Sequence, residues 1–220
     1  MSHYHRQRFL QLALDSNALC FGEFTLKSGR ISPYFFNAGH FNSGAKTAAL
    51  AQCYADAIDA ANMNFDLVFG PAYKGIPLAT ALACEYAQRE RDLLLTFNRK
   101  EVKNHGEGGT LIGAPLNGRK ILIIDDVITA GTAIREVLRI IRNAGGTPTG
   151  VAVALNRQEI ASETNRQSSV QALMAETGIP VVAIATLNDL LAFVEENASL
   201  AKFYEPLLAY KTHYGTEAPD

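Results

Sequence analysis

Asp125 and Asp126 are adjacent, and they follow directly on Ile121-Leu122-Ile123-Ile124, an apolar run dominated by β-branched residues. Just beyond them come Thr129, Ala130, Gly131 and Thr132, all small and two of them hydroxylated. These residue types, so spaced, suit two tasks. Small residues let the backbone approach a phosphate, and the threonine hydroxyls can donate to its oxygens. Carboxylates repel phosphate, but they accept hydrogen bonds from sugar hydroxyls and can hold a hydrated cation. Phosphate on the loop with a polyol on the acids describes a ribose 5-phosphate.

The elements that must position these groups lie on either side. Ile121 to Ile124 read as a strand buried on both faces, as in a parallel sheet. From Ala133 the period changes: Ile134, Val137, Leu138 and Ile141 share one helical face. Asn143, Gly145 and Gly146 end that helix, and residues 150–155 supply the next apolar strand. The unit is βαβ, with its loop at the start of a helix, where free N–H groups and the helix dipole favour an anion. An apolar run ending in two acids also resembles the metal-binding strand of a nucleotide hydrolase, but the chain has no G-x-x-x-x-G-K-[ST]. It has no G-x-G-x-x-G after a strand either, so a dinucleotide fold lacks its fingerprint. A ligand-free strand-to-helix connection accounts poorly for a run this long and chemically mixed.

A length of 220 residues suits one α/β domain with an appendage. A net charge of −2 supplies no basic field to recruit nucleic acid or an acidic membrane, so cations for a polyanionic substrate must be gathered locally. No signal-like segment and no apolar run of membrane length occurs. Cys20, Cys53 and Cys84 are odd in number, widely spaced and without a zinc pattern, which points to reduced thiols and a cytoplasmic location.

Along the rest of the chain, residues 5–19 read as an amphipathic helix with Phe9, Leu10 and Ala13 inward. Ser28-Gly29 between two alternating runs predicts a hairpin. Ser43 suits the N-cap of a helix running to about Ala61, with Leu50, Cys53, Tyr54, Ala57 and Ile58 on its core face. Residues 66–69 form a short buried strand, followed by Gly70-Pro71-Ala72-Tyr73-Lys74-Gly75-Ile76-Pro77. There Lys74 adds a charge to a helix start. A third strand at 93–97 runs into Arg99, Lys100, Lys103 and His105 and then a glycine cluster, a composition that suits a lid. Arg157, where the strand at 151–155 leaves the sheet, can grip a carboxylate or carbonyl in bidentate fashion. Residues 160–169 read as polar loop, 170–177 as helix and 180–187 as the last strand. Two surface helices follow, the second disturbed by Pro206, with no evident chemistry.

The run from Ile123 through Asp125, Asp126, Val127, Ile128, Thr129, Ala130, Gly131, Thr132 and Ala133 resembles the 5-phosphoribosyl 1-diphosphate (PRPP) binding motif of type I phosphoribosyltransferases. Further matches over most of the chain narrow the resemblance to the orotate phosphoribosyltransferase family. It implies an α/β type I phosphoribosyltransferase fold, with a mostly parallel central sheet flanked by helices. Residues 1–40 would form a hood over the base, and residues 41–220 the PRPP-binding core with a mobile lid at 98–110. The implied reaction transfers ribose 5-phosphate from PRPP to orotate, giving orotidine 5′-monophosphate and pyrophosphate. PRPP would be bound by Tyr73, Lys74, Arg99, Lys100, Lys103 and His105 together with Asp125 to Ala133. Lys103 would be the catalytic lysine, with Asp125 and Asp126 beneath the ribose. Lys27, Phe35, Phe36, Thr129 and Arg157 would contact orotate. Mg²⁺ would be held mainly through substrate and water, and a homodimer would send residues 99–109 over the neighbouring active site. Family members commonly carry Asp where this chain has Asn156. A phosphoribosyltransferase for a purine or uracil is the nearest alternative, but Lys27, Phe35, Phe36 and Arg157 suit a base bearing a carboxylate. A non-catalytic PRPP-sensing regulator would be expected to have a degraded lid or a basic surface, and this chain has neither.

Overall fold

The computed structural model describes residues 2–26, 28–103, 109–162 and 164–216. In chain order its elements are α1 (Ser2–Asp15), β1 (Leu19–Thr25), β2 (Ile31–Phe36), α2 (Gly44–Ala60), β3 (Leu67–Gly70) and α3 (Gly75–Gln88). Then follow β4 (Leu94–Lys103), β5 (Gly109–Gly113), β6 (Lys120–Asp125), α4 (Thr132–Asn143) and β7 (Thr147–Asn156). The chain continues through α5 (Ser169–Thr177), β8 (Val181–Thr186), α6 (Leu187–Glu196) and α7 (Tyr204–Tyr214). Short 3-10 turns at Ala38–His40 and Ala198–Phe203 complete it.

An apolar run in a parallel strand sends alternate side chains to opposite faces, so it needs a core on each side. Leu122 and Ile124 of β6, with Ala152 and Ala154 of β7, join a core built with α1, α2, α3 and α6. Ile121 and Ile123, with Val151 and Val153, join a second core under α4 and α5. A register slip of one residue would exchange the two sets, so the register is strongly specified. The helical faces read from sequence are both buried: Leu50, Cys53, Tyr54, Ala57 and Ile58 on α2, and Ile134, Val137, Leu138 and Ile141 on α4. Ser43 caps α2, its side chain accepting from the amide of Lys46 at 3.3 Å.

The large sheet has the order β5-β4-β3-β6-β7-β8, parallel throughout except for the antiparallel β4–β5 pair. From β3 the chain crosses by α3 to β4 on one side, and from β6 it crosses by α4 to β7 on the other. β3 and β6 are neighbours whose connections diverge, which opens a crevice beyond their carboxyl ends. The loops 70–75 and 125–131 both lie there. No helix among the described residues is long and apolar enough to cross a membrane.

Two features differ from the sequence reading. The third strand continues past Phe97 to Lys103, because β5 supplies its ladder: Phe97 pairs with Ile112, Asn98 with Leu111 and Lys103 with Gly109. A charged run can form a strand when a partner satisfies its backbone and its side chains reach solvent. The helices after β8 are not surface decoration, since Phe193, Val194, Leu200, Leu207 and Tyr210 are all buried. Pro206 lies in the first turn of α7, where its missing N–H costs nothing, so it begins that helix without disturbing it. Of residues 1–40, α1 packs on the core through Phe9, Leu10 and Ala13, while β1 and β2 form a separate two-stranded sheet. That hairpin is fastened to the chain's end by Phe21 stacked on Phe203 at 4.9 Å and Tyr34 edge-on to Tyr210 at 6.2 Å.

Glycine is required where α3 begins. A Cβ on Gly75 would lie 2.5 Å from Pro71 Cδ and 2.7 Å from the carbonyl oxygen of Ile124, so no side chain fits between this turn and β6. Gly75→Ala should therefore cost about 1–3 kcal/mol of stability, as overpacking does. Gly44→Ala, with nothing within 4 Å of the added carbon, should be near neutral. Equal melting temperatures for the two variants would contradict this close approach.

Candidate active site

The acid pair is fixed at its backbone before its side chains come into play. The carbonyl of Asp125 accepts from the Tyr54 hydroxyl at 2.7 Å, and that of Asp126 accepts from the amides of Ala154 at 2.9 Å and Leu155 at 3.3 Å. Asp125 Oδ1 accepts from the amide of Asp126 at 2.9 Å, and Asp126 Oδ1 from that of Val127 at 3.0 Å. Asp126 is buried and Asp125 half-buried. Burial first, and then the charge of Asp126, pushes the Asp125 carboxyl up to about 6; the Asp126 amide and Lys74 pull the other way. Tyr54 was legible only as a core position on α2, since nothing local signals that its hydroxyl reaches β6.

Beyond the acids the chain turns into α4 through Gly131, whose φ of 73° is left-handed and favours glycine. A Cβ there would also lie 2.8 Å from Arg135 Nη1, which donates to the carbonyl of Ala130 at 2.8 Å. No side chain caps α4, so its first amides lack a side-chain acceptor. Thr129, Ala130, Thr132 and Ala133 are exposed around this turn, with Val127 and Ile128 half-buried behind them. The loop is therefore open, small and rich in donors, which is the chemistry a phosphate needs.

Across the crevice, Lys74 heads α3 and its Nζ meets Asp126 Oδ2 at 2.7 Å. This contact joins the two strand-to-helix loops that the sequence analysis singled out separately. The peptide Ala72-Tyr73 is cis, and the amide of Ala72 donates to Asn98 Oδ1 at 3.0 Å. Asn98 thereby ties the 70–75 loop to β4, a role that nothing in its neighbours signals. The exposed Tyr73 ring lies under Lys100, with Nζ 4.9 Å from its centroid, so two further predicted residues meet. Arg99 is half-buried one position earlier on β4. His105 and Lys27 lie outside the described residues, as does the side chain of Lys103.

On the base side, Phe35 and Phe36 are neighbours on β2 and so face opposite ways. Phe36 packs toward Phe9 at 6.0 Å and Phe41 at 6.5 Å, whereas Phe35 is 40% exposed beside Phe24. The two rings do not form one wall. Arg157 leaves β7 with its guanidinium 5.0 Å above the buried Tyr34 ring. Its Nε donates to Glu159 Oε1 at 2.8 Å. Sequence reasoning gave Glu159 no role; its spacing of two residues from Arg157 was the available signal. Among the described residues no group of three or more His, Cys, Asp or Glu side chains is gathered to hold a metal. Asp125 and Asp126 offer carboxylate oxygens at the crevice, which fits an ion that takes most of its ligands from substrate and water.

With this geometry in view, the similarities to known proteins are specific. The family described as Phosphoribosyl transferase domain matches residues 42–179. The chain is 97% identical over 220 residues, covering 100% of both, to an orotate phosphoribosyltransferase of Xylella fastidiosa (strain M12). It is 76% identical over 213 residues, 97% of each chain, to that of Xanthomonas campestris pv. campestris (strain B100). The crystal structure of orotate phosphoribosyltransferase from Francisella tularensis is similar with a TM-score of 0.86 at 40% identity, covering 94% of this chain and 99% of that one. The chain belongs to the orotate phosphoribosyltransferase family.

Proposed function

We propose that the crevice between the 70–75 and 125–131 loops carries the transfer of ribose 5-phosphate from PRPP to N1 of orotate, giving orotidine 5′-monophosphate and pyrophosphate. The observation that supports this most is the ion pair between Lys74 and Asp126, which sets a cation and two carboxylates face to face across the switch point of the sheet. The loop from Thr129 to Thr132 binds the 5-phosphate, a remote handle that fixes the geometry of the reacting carbon. Asp125 and Asp126 accept from the ribose 2′- and 3′-hydroxyls. As the anomeric C–O bond breaks, positive charge develops on the ribose, and the adjacent carboxylates stabilise it. Lys74 turns from Asp126 toward the diphosphate, where Tyr73, Arg99, Lys100, Lys103 and His105 complete the cationic surround. Lys103 acts as the catalytic lysine, on a lid formed by residues 99–109 that reaches the active site of the second subunit in a homodimer.

Asp125 and Asp126 lie where a Mg²⁺ ion held mainly through substrate and water would be placed, and such an ion would supply charge neutralisation for the diphosphate. Arg157, Lys27, Phe35, Phe36 and Thr129 hold orotate, whose ring nitrogen is acidic enough to react without a strong general base. The enzyme acts in pyrimidine biosynthesis in the cytoplasm.

Three outcomes are expected. Lys103→Ala should lower kcat by about 100-fold or more, the scale of losing a charge-stabilising donor at a transition state. Retention of turnover would remove Lys103 and its lid from the chemistry. The double variant Asp125→Asn with Asp126→Asn should abolish PRPP binding in calorimetry, and preserved affinity would contradict the ribose assignment. Because the Asp125 carboxyl is raised to about 6, it becomes neutral as the pH falls through that value and ceases to act as a charged acceptor. PRPP affinity should therefore weaken on acidification through about pH 6, and Asp125→Asn alone should lack that component of the profile.

A further inference from the structure

The segment just after β7 is held from several directions that its own sequence does not announce. Glu159 Oε1 takes the Nε hydrogen bond of Arg157, and Arg157 Nη2 lies 2.7 Å from the same oxygen. Nη2 is buried and makes no hydrogen bond, so this second approach is an ion contact only. The other Glu159 oxygen faces Arg30 Nη1 at 3.8 Å, and the Tyr34 hydroxyl reaches Oε1 at 3.5 Å. The backbone is clamped as well. Ile160 donates to the carbonyl of Tyr214 and Thr216 to that of Gln158, both at 2.8 Å. Glu159 itself bridges Gly215. Arg30 fastens the far side by donating to the carbonyl of Ile160 at 2.9 Å while lying over the Tyr214 ring.

We propose that Glu159 is a positioning residue for base recognition: it holds the Arg157 guanidinium along its Nε–Nη2 side and so fixes the direction in which Nη1 is presented to the carboxylate of the base. The proposal rests on the reading that Arg157 contacts orotate. A guanidinium presents its five donors in a fixed plane, so anchoring one edge orients the remaining donors. The face is fixed by the Tyr34 ring, and the edge by Glu159. Charge gives a second, independent argument. Arg30, Arg157 and Glu159 together leave one positive charge in excess, enough to match one carboxylate. Without Glu159 the guanidinium would be free to rotate, and the local charge would rise to two. Discrimination against bases lacking a carboxylate then depends on an ordered charge of the right size.

A double-mutant cycle tests this. Glu159→Gln should raise the KM for orotate roughly tenfold or more, the scale of losing an oriented charged hydrogen bond, and leave kcat and the KM for PRPP near their original values. In the Arg157→Ala background the same substitution should add nothing, because the two residues act as one unit. An unchanged orotate KM in Glu159→Gln, or effects that multiply independently in the double variant, would overturn the proposal; so would a fall in melting temperature with the orotate KM preserved. If Arg157→Ala itself leaves the orotate KM untouched, the base-site reading has failed, whatever Glu159 does. Should the Gln variant not fold, Glu159→Asp keeps the charge but shortens its reach; it should raise the orotate KM by a smaller factor, and no change there would equally refute the idea.

Discussion

Two carboxylates on successive residues at the end of a buried strand repel each other, and the low-dielectric surroundings make that repulsion felt. Burial first, and then this repulsion, makes Asp125 hold its proton to a higher pH than an ordinary aspartate. The structure answers with Lys74, which comes from a different strand and meets Asp126 at 2.7 Å. This is possible only because β3 and β6 are neighbours and their outgoing connections part in opposite directions. The crevice and the balance of its charges both follow from that arrangement. With Asp126 buried and Lys74 more than half exposed, such a pair is a weak source of stability, since desolvation and solvent screening offset much of the attraction. Its presence fits a site kept for chemistry.

The central βαβ unit was legible because everything that defines it is local. The run of apolar residues, the two acids, the small loop and the change to helical period occupy consecutive positions, and each enforces the next. The 70–75 loop was nearly as clear, since Gly70, Pro71, Gly75 and Pro77 leave few backbone paths. What sequence could not give was how the two loops meet. Lys74 and Asp126 stand 52 positions apart, and only the strand order brings them together.

The same reasoning explains the misjudged parts. Residues 98–103 are too charged to read as a strand, and the partner that makes them one, β5, begins only at Gly109. The tail after β8 carries no motif, so its task of holding the hairpin through Phe203 and Tyr210 was invisible. Tyr34 and Glu159 touch across 125 positions of chain. Arg157 was recognised from its place at a strand end, whereas the groups that orient it come from β2, the segment after β7 and the far end of α7. Contacts of that kind depend on topology, and a single sequence encodes topology only indirectly.

Asn98 has a mechanical consequence. Its side chain is bonded to the Ala72 amide at 3.0 Å, and its backbone pairs with Leu111, so β4 up to this point moves with the sheet and with the 70–75 loop. Asn98 is thus a clamp between β4 and the loop that carries Lys74. Lys103 stands five residues further on, roughly 17 Å along the strand at about 3.3 Å per residue. Over that span the ladder with β5 is irregular, so the cationic stretch takes less support from its partner than the strand before it.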